Sequence, residues 1–110
     1  MELLGYQYIA TLKLDNQVNI DVFEEIANEL YKILKVLSYA IYKFNNGGIT
    51  GFFLIAESHI AFHYWIEHNT LTLDIFTCST KKITDEVFKL FIEKLKPVEY
   101  IMQFNVRTTL

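Results

Sequence analysis

Gly51-Phe52-Phe53-Leu54-Ile55-Ala56-Glu57-Ser58-His59 runs directly into Ile60-Ala61-Phe62-His63-Tyr64-Trp65-Ile66-Glu67, and after His68-Asn69 the pattern resumes as Thr70-Leu71-Thr72-Leu73-Asp74-Ile75-Phe76-Thr77-Cys78. Successive side chains of a strand point to opposite faces. Sorted that way, Ile60, Phe62, Tyr64, Ile66, Leu71, Leu73 and Ile75 form one nearly continuous apolar face. His59, Ala61, His63, Trp65, Glu67, Thr70, Thr72, Asp74, Phe76 and Cys78 form the other. A two-residue turn at His68-Asn69 would pair His63 with Asp74, Trp65 with Thr72 and His59 with Cys78. Ser58 has the wrong parity to share a face with His63, so a bulge or break near residues 57 to 59 is expected to re-aim it.

Working outward, Leu4, Tyr6, Tyr8, Ala10, Leu12 and Leu14 alternate with more polar neighbours and predict a first strand. Asp21 with Glu24 three residues on opens a stretch in which Phe23, Ile26, Ala27, Leu30, Ile33, Leu34 and Leu37 follow helical spacing. Tyr39 to Phe44 and Thr50 to Glu57 flank Asn45-Asn46-Gly47-Gly48, which is hairpin chemistry because Asn and Gly tolerate positive φ. Thr84 as N-cap predicts a second helix through Val87, Phe88, Phe91 and Leu95, ending before Pro97, and Val98 to Val106 predicts a last strand. The order β-α-β-β-β-β-α-β is that of an α+β, two-layer sandwich: an antiparallel sheet with two helices on its apolar face. The opposite face is polar yet aromatic and needs a cover, for which a second copy is the expected candidate, giving a homodimer with facing sheets.

Composition excludes several function classes. The 110 residues make one domain, and 52 % hydrophobic with 15 % aromatic content is enough for a core. A net charge of −3 provides no basic footprint for nucleic acid. No apolar stretch approaches the ~20 residues of a membrane span, and no basic leader precedes Leu3-Leu4, so no membrane association and a cytoplasmic location are expected. The single cysteine, Cys78, is either a small buried thiol or a reactive one. His59 and His63 are ~13 Å apart along a strand, too far to share an ion, so no metal is expected.

The Glu57-Ser58-His59 run, His63 with Trp65 and Glu67, and Asp74 with Phe76-Thr77-Cys78 together resemble the small prokaryotic S-adenosylmethionine decarboxylase proenzymes. The resemblance is specific over about residues 47 to 78. It implies self-cleavage between Glu57 and Ser58: the hydroxyl attacks the preceding carbonyl, and β-elimination and hydrolysis leave a pyruvoyl group made from Ser58. A distorted peptide there would favour the attack. The pyruvoyl cofactor would then form a Schiff base with the substrate amine and accept the electrons released with carbon dioxide.

Residue by residue, the resemblance implies that His63 removes the α-proton during elimination and that Thr50 stands where relatives carry a serine that helps the tetrahedral intermediate collapse. Cys78 would donate a proton to the decarboxylated carbon. Phe44 and Trp65 would stack the adenine, and Glu67 would bind the ribose hydroxyls. The bland alternatives are a structural strand serine, a strand histidine satisfied by a neighbour, a buried thiol and core packing for Phe44. Gln7 stands where relatives carry a histidine, and Tyr64 and Ile66 replace a threonine and a proline. Two rival functions remain: decarboxylation of arginine or ornithine by the same apparatus, and an unprocessed nucleoside-binding homodimer without catalysis.

Overall fold

Strict alternation of apolar and polar side chains obliges a sheet with one buried face, and the computed structural model, which describes all 110 residues, has it. The strands are β1 (Leu3–Lys13), β2 (Val36–Lys43), β3 (Ile49–Ile55), β4 (Ser58–Trp65), β5 (Thr70–Thr77) and β6 (Glu99–Thr108). The helices are α1 (Ile20–Ile33) and α2 (Lys81–Leu95). Strand order is β2-β3-β4-β5-β1-β6, antiparallel at every paired edge. The α+β two-layer architecture and the element order expected above are therefore correct.

The core lies between helices and sheet. Phe23, Ile26, Ala27 and Leu30 of α1 and Val87, Phe88, Leu90 and Phe91 of α2 pack on Ile60, Phe62, Tyr64, Leu71, Leu73 and Ile75. Phe62 is the pivot: its ring stacks on Phe23 at 4.3 Å between centroids and meets Phe91 edge-on at 6.2 Å. Gly51 pairs with Phe62 across β3 and β4, and a Cβ there would run into the Phe62 ring. Glycine is required at that position for space.

Local details correct the sequence reading in five places. The β4–β5 connection is a 3₁₀ turn, Ile66–His68, closed by Asn69 in the left-handed region (φ 46°), and not a two-residue turn. Tyr64 explains it, because its hydroxyl donates to Asn69 Oδ1 at 3.1 Å and accepts from the Val18 amide at 3.3 Å, tying the turn to the β1–α1 loop. The register consequently shifts by two, pairing His63 with Thr72, Trp65 with Thr70 and His59 with Phe76, which leaves face assignments intact. Between β3 and β4 the expected break is a tight Ala56-Glu57 turn without a bulge, and it does not re-aim the serine: Ser58 pairs with Ile55 as the first residue of β4 and stays buried on the face opposite His63. The N-cap of α1 is Asn19, which accepts from the Asp21 amide, and Leu37 belongs to β2 because the helix ends at Ile33.

The fifth correction concerns α2, which is capped by Thr80. Thr84 is fully buried, hydrogen-bonded to Thr77 Oγ1 at 2.7 Å and to the Thr80 carbonyl at 2.8 Å. Asp85 next to it mimics a first-turn acid in sequence but serves as an anchor. It accepts from the Tyr8 hydroxyl and from Lys81 Nζ at 2.8 Å, locking α2 onto β1. The Lys81 and Tyr8 hydrogen bonds hold the Asp85 carboxyl below its ordinary range, while burial and the same bond push Tyr8 up to about 12.

Two stability measurements follow from these contacts. Gly51→Ala should cost about 1–3 kcal/mol by overpacking in urea unfolding, and the loss should shrink when Phe62→Leu is added, since the smaller side chain frees the space. A depressed carboxyl contributes stability that is present above its unfolded pKa and is lost as pH falls through the folded one. Asp85→Asn should therefore lower the melting temperature at pH 6 and flatten its decline between pH 5 and pH 3.

Candidate active site

The chemistry-bearing side chains form two groups at opposite ends of β4; His59, His63 and Trp65 point away from the helices, whereas Ser58 has the parity of buried Ile60 and Phe62. At the first end, Thr50 of β3 and His63 of β4 are a directly opposed pair, with Thr50 Oγ1 3.0 Å from His63 Nδ1. Trp65 stands two residues on, its ring 6.0 Å from the His63 imidazole. Phe44, Trp65 and Glu67 join Thr50 and His63 around a recess of about 270 Å³. Phe44 is placed by the β2–β3 hairpin, where its amide donates to the Gly48 carbonyl at 2.8 Å and Gly47 takes a positive φ of 96°. Tyr42 supports it edge-on at 4.9 Å, a contact unread in the sequence.

At the second end lies the largest cavity, about 680 Å³, floored by Phe52, Leu54 and Phe76 and bounded by the Ala56-Glu57-Ser58 turn. Glu57 is exposed. Ser58 is buried, and its Oγ has no hydrogen-bond partner. A buried hydroxyl without a partner costs about 1–3 kcal/mol, which makes it an unusual group to keep in a well-paired sheet. Cys78 lies one residue beyond β5, in a bend and exposed, at the same end of the sheet as Ser58. The expected pairing of His59 with Cys78 does not occur.

His59 follows Ser58 and turns its imidazole onto the open face between the rings of Phe52, at 6.1 Å, and Phe76, at 5.9 Å. Its Nε2 lies 3.2 Å from Asp74 Oδ2. The other carboxylate oxygen accepts from Gln7 Nε2 at 3.0 Å, and Gln7 Oε1 accepts from Arg107 at 2.8 Å. This chain of contacts crosses β4, β5, β1 and β6. Its signal in the sequence is the shared parity of His59 with Asp74 and of Gln7 with its neighbours; Arg107, the lone arginine, gave none.

The structure thus brings Thr50, His63, Trp65, Glu67 and Phe44 together, and places Ser58 and Cys78 at one end, but it does not join the two groups within one chain. Five residues of strand separate Ser58 from His63 by ~17 Å.

Comparison with known proteins identifies the family. The family described as S-adenosylmethionine decarboxylase matches residues 8–108. A proenzyme of that name from Archaeoglobus fulgidus is 45 % identical over 80 residues, covering 72 % of this chain and 69 % of the relative. One from Thermoplasma acidophilum is 42 % identical over 77 residues, covering 70 % and 59 %, and one from a Hydrogenobaculum strain is 38 % identical over 99 residues, covering 86 % and 74 %. The crystal structure of the adenosylmethionine decarboxylase from Aquifex aeolicus superposes with a TM-score of 0.84 at 27 % identity, over 100 % of this chain and 95 % of that one. A family match spanning nearly the whole chain, relatives of this similarity and a shared fold establish that the chain belongs to the S-adenosylmethionine decarboxylase family.

Proposed function

We propose that this protein is a self-processing, pyruvoyl-dependent decarboxylase of S-adenosylmethionine, and that its decarboxylated product serves as an aminopropyl donor for polyamine synthesis. The observation that carries the reading is Ser58 Oγ, buried and unpaired at a turn immediately after an exposed Glu57. A hydroxyl with no competing hydrogen bond, in the residue directly after the carbonyl it must attack, is the group that self-cleavage needs. The residues around it fit a pyruvoyl group in place of residue 58, because an apolar cavity already opens beside them. Such a group supplies a ketone that takes up a primary amine and draws off the electron pair left by carbon dioxide.

His63, held by Thr50, removes the α-proton during processing, and its imidazole is oriented for that by the 3.0 Å contact. Cys78, exposed beside the same strand end as Ser58, returns a proton to the substrate carbon. Phe44 and Trp65 offer stacking surfaces for adenine, and Glu67 offers a carboxylate to the ribose.

Separation of the two groups along β4 is resolved by a homodimer with sheets face to face. A two-fold axis between the sheets lays the His63 end of one copy over the Ser58 end of the other. The open face suits burial, since Ile9, Phe52, Leu54, Trp65 and Ile101 are all at least 45 % exposed there. No helix is long and apolar enough to cross a membrane, and a cytoplasmic location belongs to this reading.

Intact mass provides the direct test. The 13.0 kDa chain should split between Glu57 and Ser58, and Ser58→Ala should stay whole. Chains carrying Ser58→Ala and chains carrying His63→Ala should each remain uncleaved alone. Co-expressed, they should yield a cleaved His63→Ala chain, because each supplies what the other lacks; cleavage confined to neither would overturn the shared site.

Substrate identity is tested on the processed protein. Carbon dioxide release should be far faster from S-adenosylmethionine than from arginine or ornithine. Glu67→Gln should raise KM about tenfold with kcat nearly kept, because the ribose contact acts in ground and transition states alike. Cys78→Ala should instead lower kcat at least about tenfold after normal cleavage.

A further inference from the structure

We propose that His59 is the base that prepares the substrate's amine, with Asp74 as the residue that positions it; this rests on the decarboxylase reading. The geometry is specific. A carboxylate only accepts, so the 3.2 Å contact to Asp74 Oδ2 places the imidazole proton on Nε2 and leaves a lone pair on Nδ1. Asp74 cannot turn away, because its second oxygen is held by Gln7, and Gln7 is held in turn by Arg107. The flanking rings of Phe52 and Phe76 fix the plane of the imidazole. His59 also lines the large cavity and is joined by one peptide bond to residue 58, whose ketone receives the amine.

The reaction requires such a group. An α-ammonium has no lone pair, and with α-amino groups titrating near 7.7–8.0 only roughly one substrate molecule in six to eleven is a free amine at pH 7. His59 Nδ1 takes one proton from the bound ammonium: the N–H bond breaks, its electron pair stays on the substrate nitrogen, and the positive charge moves to the imidazole beside the Asp74 carboxylate. As the new C–N bond forms, the proton passes from Nδ1 to the carbonyl oxygen; a second proton, released by the now cationic nitrogen, follows through the same Nδ1, and the oxygen departs as water. No other reagent is consumed. The charged and titratable groups that face His59 are Asp74 from β5, Arg107 from β6 through neutral Gln7 of β1, and Glu57 from the turn; β3 presents only Phe52 and Leu54.

The test measures amine uptake and not carbon dioxide. Processed protein is given saturating S-adenosylmethionine with cyanoborohydride, and the mass of the second fragment is followed as substrate becomes fixed to it. His59→Gln should cleave normally and then trap substrate about sevenfold more slowly than the parent at pH 7, with the ratio closing to within about twofold at pH 9, where the substrate frees its own amine. Asp74→Asn should show the same pattern more weakly. In parallel, ¹⁵N spectra of the uncleaved Ser58→Ala chain should show the His59 proton on Nε2, and adding Asp74→Asn should mix the tautomers. Equal trapping at pH 7, a defect as large at pH 9 as at pH 7, or a proton on Nδ1 would each overturn the assignment. A parent chain that cleaves but never takes up the amine would overturn the decarboxylase reading, and this step with it, even where the tautomer is as expected.

Discussion

Antiparallel pairing sends successive side chains to opposite faces, and nearly everything about this molecule descends from how β4 obeys that rule. Ile60, Phe62 and Tyr64 go under the helices, while His59, Ala61, His63 and Trp65 go to the open side. The buried set builds the core through Phe62, which needs the gap left by Gly51. The open set cannot gather in one place, because a strand is straight and its residues are spread along its length. Hence the serine and histidine ends lie far apart within one chain.

The parts of the fold fixed by alternation and helical spacing were legible in the sequence. Face assignments survived even where the register was misplaced, because an error of two residues leaves parity untouched. What escaped was set by side chains acting at a distance. Tyr64 reaches from β4 to Asn69 and to Val18, and so lengthens a turn that Asn69 alone did not reveal. Thr84 was expected to cap α2, yet its hydroxyl is engaged by buried Thr77 and by the Thr80 carbonyl, and the cap falls four residues earlier. Ser58 presented the opposite problem: parity put it on the face opposite His63, and the structure keeps it there as the buried first residue of β4, so the expected re-aiming does not occur.

On the candidate site, residue types were readable but their grouping was not. Thr50 and His63 pair as neighbours across strands, a relation that follows once the β3–β4 turn is placed at Ala56-Glu57. The contact chain from His59 to Arg107 spans separations of 15, 67 and 100 residues, and no local pattern announces it. Its setting between aromatic rings matters physically. Covering that face by a second sheet would exclude water, and in a lower dielectric each of those hydrogen bonds would strengthen while any one left unmade would become costly. A fully connected network tolerates such burial, and this one is connected from end to end.

The short turn at Ala56-Glu57 also has a topological consequence. Everything before it supplies β1, β2, β3 and α1, and everything after it supplies β4, β5, α2 and β6. In the sheet these do not sit as two halves: β1 is inserted between β5 and β6. A nick at Ser58 therefore creates two interlaced polypeptides, each ladder between them holding the other's strand in place. They cannot come apart without dismantling the core, and once apart, reassembly becomes a second-order process. Folding of the intact chain is unimolecular; after such a cut the same structure would depend on concentration, and a severed protein would persist through the slowness of its unfolding.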